Sequence, residues 1–248
     1  MAAAPIFDDP IAALLAKMRL RDDVSEHEAA VLRALITRIV DFPVGHVLVE
    51  AGQPLSESCL LIEGFVGRYK DMSDGGRQIT EVHVAGDFVD LHGFLLKRLD
   101  HNIGALTAVR MAIIPHSAIL EITEQEPHLA RLLWLSTLVD ASIQRERILT
   151  LGRRSAVARV AHLFCEVQTR LELIGLADGR RFAFPVVQAD LADASGLTPV
   201  HVNRMLREMR ERGLMTFKGG IVEVEDRAAL ERLAEFDRNY LTIVHAPR

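Results

Sequence analysis

Residues 182–226 read FAFPVVQADLADASGLTPVHVNRMLREMRERGLMTFKGGIVEVED, and the order of parts in this stretch decides the fold. Gln188–Ala194 predicts a short helix anchored by Leu191. Gly196 follows where a tight helix-to-helix turn needs a residue free to take a positive φ. Thr198 suits an N-cap, and Pro199 the first helical position after it. Val202, Met205, Leu206 and Met209 then recur at the spacing of one helical face, in a helix running to about Arg212. His201, Asn203, Arg204, Arg207 and Arg210 are left for its other faces. Gly213 closes the helix. MTFKGGIVEVE predicts a two-stranded wing with Gly219-Gly220 at its tip and Lys218 placed to reach a phosphate. A capped, basic helix behind a glycine turn is what insertion into a major groove requires. Asn and Arg are the side chains that pair with adenine and guanine edges.

Upstream, the texture changes twice. Between Pro127 and Leu151 there is neither Gly nor another Pro, and Pro127 fits a first turn, so a helix on the order of 35 Å long is expected. Leu129, Leu132, Leu135, Val139, Ile143 and Leu149 give it an apolar stripe. Packing against a twin in a dimer would bury that stripe; packing on the chain's own barrel is the alternative. Gly152-Arg153-Arg154-Ser155 reads as a hinge, with Ser155 capping the next helix, and Asp178-Gly179-Arg180-Arg181 as a loop. From Asp41 to Pro115 the segments are short, β-rich and punctuated by Gly45, Gly52, Gly64, Asp74-Gly75-Gly76 and Gly86-Asp87. That spacing suits a double-sheet roll, with a hairpin at Asp74-Gly75. Residues 10–40 read as helices. Ile11, Leu14, Leu15 and Met18 mark one, and Ala30, Leu32, Leu35, Ile36 and Ile39 a second, started by a capping box at Ser25 and Glu28. The expected fold class is therefore α+β: an N-terminal roll with flanking helices (1–126), a long helix (127–151) and a C-terminal winged helix-turn-helix (152–248).

The 248 residues suit two domains, and 25% charged with 49% hydrophobic residues suits a water-soluble globular protein. The net charge of −5 is unpromising for a partner of nucleic acid, but it is unevenly spread. Residues 1–151 carry 14 Lys and Arg against 21 Asp and Glu, whereas 152–220 carry 11 against 7. Local charge governs phosphate contact, so the excess of +4 is in the right place. No apolar run reaches a membrane span, and the start MAAAPIFDDPIAALLAKM places acids where an export signal needs bases. A cytoplasmic protein is expected. With two cysteines, Cys59 and Cys165, neither a disulfide framework nor an iron–sulfur cluster is indicated.

ADLADASGLTPVHVNRMLREMRERGLM, residues 189–215, resembles the recognition segment of the Crp–Fnr superfamily of bacterial transcription regulators, and the order barrel, long helix, winged helix-turn-helix fits it too. The likeness covers roughly Val40 to Glu225. It implies a homodimer on a palindromic double-stranded DNA operator, in contact with RNA polymerase. By the resemblance Thr198 and Pro199 open the recognition helix, Arg204 enters the groove, and Gln188 begins the supporting helix, where the backbone is touched. Val200 stands where many members have a glutamate that reads a cytosine, so His201 and Asn203 become candidate readers or phosphate contacts, with Arg207 and Lys218 beside them.

In relatives that bind cyclic nucleotides, the stretch after Gly-Asp-Phe supplies a glutamate for the ribose and an arginine and serine for the phosphate. Here GDFVDLHGFLLKRLDHNIGAL puts Leu91 in place of the glutamate and His101-Asn102 in place of arginine-serine. Asp90 and His92 flank the site out of register. Ordinary cyclic AMP binding is not expected; an unknown small effector binding near Asp90, Leu91, His92, His101 and Asn102, or none, is. No cofactor or metal is expected. His83, His92, His101 and His116 are conceivable haem ligands, but scattered histidines on a barrel are more often surface or core residues. No H-x-H…H set, nucleophile elbow or P-loop points to an enzyme. The alternative function, a sensor relaying to a protein partner, predicts a C-terminal domain without an exposed basic helix.

Overall fold

The computed structural model describes residues 8–247; the first residues of the opening stretch, 1–7, lie outside them. Two short helices lead, α1 (Ala12–Arg19) and α2 (Glu26–Ala34). The capping box forms: Ser25 Oγ accepts the Glu28 N–H, and the Glu28 carboxylate accepts the Ser25 N–H. The second helix ends sooner than its apolar spacing predicts, because Ile39 lies in a strand and is 48% exposed.

Seven strands make the roll: β1 (Arg38–Phe42), β2 (Val47–Val49), β3 (Glu57–Glu63), β4 (Val66–Asp71), β5 (Arg77–His83), β6 (Asn102–Ala105) and β7 (Val109–Pro115). They form two antiparallel sheets, ordered β2-β6-β4-β5 and β1-β7-β3. The β4–β5 hairpin turns at Asp74-Gly75 as predicted, with the Met72 N–H donating to the Gly76 carbonyl. In the second sheet β3 and β7 are buried on both faces, and the two-residue period shows it. Leu61, Met111 and Ile113 point into the roll, while Leu60, Ile62, Ala112 and Ile114 point outward under the N-terminal helices. This is why the strand run MAII in β7 is apolar without alternation. A one-turn helix, α3 (Gly93–Leu96), and α4 (His116–Gln125) complete the roll.

The long helix α5 spans Pro127–Arg153, 27 residues, with Pro in the first turn. At 1.5 Å per residue it is about 40 Å long. The expected hinge is narrower than read: the helix runs through Gly152, and only Arg154 and Ser155 are extended before α6 (Ala156–Glu172), whose N-cap Ser155 accepts the Ala158 N–H. The predicted stripe packs inward. Leu129, Leu132, Val139 and Ile143 are buried against the chain itself, Leu135 is partly buried, and Leu149 is 46% exposed. A different face, Trp134, Leu138 and Ile148, is left 67%, 50% and 72% exposed.

The C-terminal part consists of α6, β8 (Arg181–Ala183), α7 (Gln188–Ser195), α8 (Pro199–Glu211), β9 (Met215–Lys218), β10 (Ile221–Val224) and α9 (Arg227–Ala234), followed by a 3-10 turn at Arg238–Leu241. The wing has three strands, β8-β10-β9, not two. Arg181, expected in a loop, opens β8, paired with Glu223 of β10. The core of this part, around Phe164, Phe184, Leu191, Val202 and Met209, is continuous with Phe65, Tyr69, Ile79 and Val82 of the roll.

Candidate nucleic-acid interface

The helix-turn-helix is α7 and α8. Gly196 between them has φ +62°, and a Cβ there would come within 3.2 Å of Leu151 Cδ2 on the long helix. The turn thus needs glycine for its backbone and for its fit against α5. Thr198 Oγ1 accepts the His201 N–H at 3.3 Å, a cap worth about 1 kcal/mol. Val202, Met205 and Met209 are buried beneath α8, and Leu206 is half-buried at its edge.

Every residue singled out for DNA contact is on the surface. Gln188, Thr198, Pro199, His201, Asn203, Arg204, Arg207 and Lys218 are all exposed. They do not form one uniform face. At 100° per residue, Val200 and Arg204 sit one turn apart on the crest of α8, His201 beside them, while Asn203 lies on the flank toward the wing. Asn203 Nδ2 donates to Gln188 Oε1 at 3.5 Å, which joins the start of the supporting helix to the recognition helix. The second half of α8 is neutralised internally. Arg207 Nε is 2.8 Å from Glu211 Oε1, and Arg212 is 3.2 Å from Glu208. With those carboxylates paired at that end, the first two turns are the part suited to reading bases.

Between α8 and the wing lies an open groove of about 730 Å³, lined by Arg181, Gln188, Asn203, Arg207, Arg210 and Lys218, with Glu223 its one carboxylate. Arg181 and Arg210 were not among the residues expected there. Arg210 lies one turn beyond Arg207 and is legible from helical spacing. Arg181 becomes a groove residue only through the pairing of β8 with β10, which no local pattern announces.

In the roll, the residues expected around an effector are divided. Asp90 is buried and accepts the Cys59 N–H at 2.7 Å; burial pushes its carboxyl up to about 7. His92 and His101 stack with centroids 5.3 Å apart, and burial holds His92 down to about 3 and lowers His101. Leu91 instead turns outward into the core under the N-terminal helices. Asn102 caps the outside of the roll, accepting the Ala51 N–H and donating to Asp71. Neither belongs with the histidine pair. The remaining candidate haem ligands are also placed: His83 is fully buried, and His116 Nε2 lies 3.2 Å from Ser58 Oγ.

The fit of a cyclic nucleotide turns on its phosphate, which needs a cation or several free donors. The buried guanidinium next to this pair, Arg68, has both terminal nitrogens committed: Nη1 to Glu81 at 2.8 Å, Nη2 to the Val89 carbonyl at 3.0 Å and to Asp140 at 3.6 Å, with Nε left unpartnered. Burial lowers His83 as well, which disfavours its charged form. The residues present do not fit a buried phosphate. The thiols fit a cluster no better: Cys59 is on β3 and Cys165 on α6, and burial pushes both up toward the protonated form.

The roll and the DNA-reading part are locked together. Arg77 on β5 reaches Asp190 at 2.6 Å and Asp193 at 2.8 Å on α7, and Gln78 Nε2 donates to the Asp193 carbonyl. Arg170 on α6 bridges Asp87 and the Val82 carbonyl, and Lys17 on α1 meets the other Asp87 oxygen at 2.5 Å. Burial works against the Asp87 carboxylate, but Arg170 and Lys17 hold it well below the usual range.

Residues 39–126 match the model of the cyclic nucleotide-binding domain, and residues 158–233 that of the Crp-like helix-turn-helix domain. The chain belongs to the Crp/Fnr family of transcription regulators. Within the Crp/Fnr family it is 25% identical, over 216 residues, to the fumarate and nitrate reduction regulatory protein of Escherichia coli K12, covering 87% of this chain and 86% of that one. The structure of FixK2 from Bradyrhizobium japonicum superposes with a TM-score of 0.72 at 25% identity, covering 79% of this chain and 96% of FixK2. The c-di-GMP-responsive regulator CLP of Xanthomonas campestris shares the fold at a TM-score of 0.62 and 14% identity, covering 79% of this chain and 98% of that chain. Among the described residues no helix is long and apolar enough to cross a membrane.

Proposed function

We propose that this Crp/Fnr regulator works as a cytoplasmic homodimer on a two-fold-symmetric DNA operator, with a sensor (1–126), a coupling helix (127–151) and a DNA reader (152–248). The observation that carries the reading is α8: its first half is capped and exposed with Arg204 on its crest, and its Asn203, Arg207 and Arg210 line a groove with four cations and one carboxylate. Arg204 and Asn203 are the base readers, for guanine and adenine edges. Gln188, Thr198, Pro199, His201, Arg207 and Lys218 set the register against sugar and phosphate.

Dimerisation is proposed through the exposed face of α5, where Trp134, Leu138 and Ile148 fall within an arc of about 80° and span about 21 Å of helix. A regulator so placed on an operator would contact RNA polymerase through its remaining surface. The roll does not take cyclic AMP in the family's usual way, because Arg68 is already paired with Glu81. Any effector would act through the long helix, whose Gln144 donates to Glu81 at 2.7 Å. An allosteric coupling of this kind is typically about 1–3 kcal/mol.

The test is selection from a pool of random duplex DNA by the ligand-free full chain at fixed salt. An enriched palindrome, bound roughly 10–100-fold more weakly by Arg204→Ala, is the expected result. Enrichment only after a cell extract is added would place an obligatory effector in the mechanism. No enrichment under either condition would refute DNA reading and favour relay to a protein partner.

A further inference from the structure

We infer that Val200 is a specificity-determining residue that reads a thymine methyl group in each operator half-site. The inference rests on the DNA-reading function proposed above and adds to it a base identity.

Val200 is 78% exposed, the most exposed large apolar side chain among the described residues. A lone apolar side chain on a surface needs no explanation. Its position is what calls for one. It follows Pro199 in the first turn of α8 and lies one turn before Arg204 on the same crest. Beyond Pro199, its exposed neighbours are Thr198, His201, Asn203 and Arg204, all able to hydrogen-bond. The carboxylates of α8, Glu208 and Glu211, are about two and three turns further on. Any duplex seated on Arg204 and Asn203 therefore brings the floor of its major groove against the Val200 methyls.

A valine side chain offers no donor and no acceptor, so it cannot satisfy the base-edge groups of guanine, cytosine or adenine that it would dehydrate. The one apolar feature on the major-groove floor is the C5-methyl of thymine. Being β-branched, Val200 is also nearly fixed about χ1 in a helix, so its methyls are presented with little conformational freedom left to lose. With Asn203 suited to adenine and Arg204 to guanine, the half-site is expected to contain T, A and G in contacts from consecutive turns. A glutamate here would instead accept from cytosine N4, which a valine has no means to do.

The experiment takes the palindrome enriched by the wild-type chain and replaces each half-site thymine in turn by deoxyuridine. That change removes the methyl and leaves pairing and hydrogen-bonding groups intact. At one thymine per half-site, wild-type affinity should fall about fourfold per half-site, the factor for one buried methyl-sized group. Val200→Ala should bind the thymine site more weakly and lose most of this discrimination at that position alone, giving a coupling in the double-variant cycle. Val200→Glu should shift the selected base there toward cytosine. A half-site without thymine, or deoxyuridine effects that are the same in wild type and Val200→Ala, would overturn the inference while leaving DNA reading intact. Failure to enrich any sequence would remove both.

Discussion

Truncating Trp134 is the sharpest probe of how the long helix is used. Trp134 is 67% exposed on a helix whose opposite face is already buried in the chain's own roll. A tryptophan side chain presents roughly 250 Å², so about 170 Å² remains to be covered. At about 25 cal/mol per Å² that is about 4 kcal/mol. Association loses a large part of such a gain to lost freedom and imperfect packing, so about 2 kcal/mol per residue is the reasonable expectation, the size of an interface hot spot. An isologous interface uses the residue twice, so Trp134→Ala should weaken the dimer by about 4 kcal/mol, or roughly a thousandfold in Kd. Leu138→Ala, 50% exposed and a smaller side chain, should act in the same direction by less. Sedimentation velocity from nanomolar to tens of micromolar protein reads this directly. Leu120→Ala, 47% exposed on α4 and outside the stripe, is the control and should change nothing. Equal dimer constants for wild type, Trp134→Ala and Leu138→Ala would refute the assignment of this face to the dimer.

Three further outcomes are expected. Arg77→Ala removes charged hydrogen bonds to Asp190 and Asp193 that are only partly shielded from solvent; it should cost about 1–2 kcal/mol of stability in denaturant unfolding and raise hydrogen exchange in α7. Unchanged protection in α7 would show that the lock carries no energy. Gly196→Ala places a side chain at φ +62° and 3.2 Å from Leu151, so it should cost at least about 1 kcal/mol and weaken operator binding together with thermal stability; a neutral effect on both would contradict the tight turn. His162 is buried against Phe236 and Tyr240, and burial lowers it from 6.5 to about 3. Between those values the unfolded chain binds the extra proton, so stability falls as pH drops below about 6.5, by up to about 1.4 kcal/mol per unit for this group. His162→Phe should flatten the acid limb of the unfolding profile between pH 7 and 5 by about that slope, and an identical slope would show that another group controls it.

The DNA-reading helices were legible because everything that specifies them lies within about one turn of itself. Thr198, Pro199, Gly196 and the spacing Val202–Met205–Met209 are local instructions, and each is found as read. The errors come where an instruction is shared between distant segments. Ile39 continues a helical spacing in sequence, but its backbone is claimed by β7, five residues pairing in register from Arg38 to Phe42. Arg181 looks like part of a Gly-containing loop until β10 supplies it with a partner. On α5 the periodicity was real, yet a period does not say what covers it. The stripe from Leu129 to Ile143 meets the roll and the C-terminal turn, whereas Trp134, Leu138 and Ile148 are interrupted by Ala141 and Arg145 and so form a weaker pattern on the face that is left open.

The same limit applies to the sensor, and it bears on whether this regulator needs an effector. The degenerate stretch after Gly86-Asp87-Phe88 gave reason to doubt a phosphate ligand, but only the assembled roll supplies the electrostatic argument. Arg68 on β4, Glu81 on β5 and the loop that carries Asp90 and His92 come together in the roll, and Asp140 and Gln144 reach in from α5. Burial first, then the Glu81 carboxylate, pushes Asp140 well up, so the group resists carrying a second negative charge. A phosphate entering here would have to compete with Glu81 for the guanidinium. Separating a buried pair typically costs about 3–5 kcal/mol, because the released carboxylate stays in the interior. That carboxylate is also the acceptor of Gln144, so the barrel's buried charge and the long helix are already joined without a ligand. In a receptor that waits for a nucleotide, this joint is what binding would have to create. Here it is made by side chains of the chain itself, which is the physical ground for expecting operator binding by the ligand-free protein.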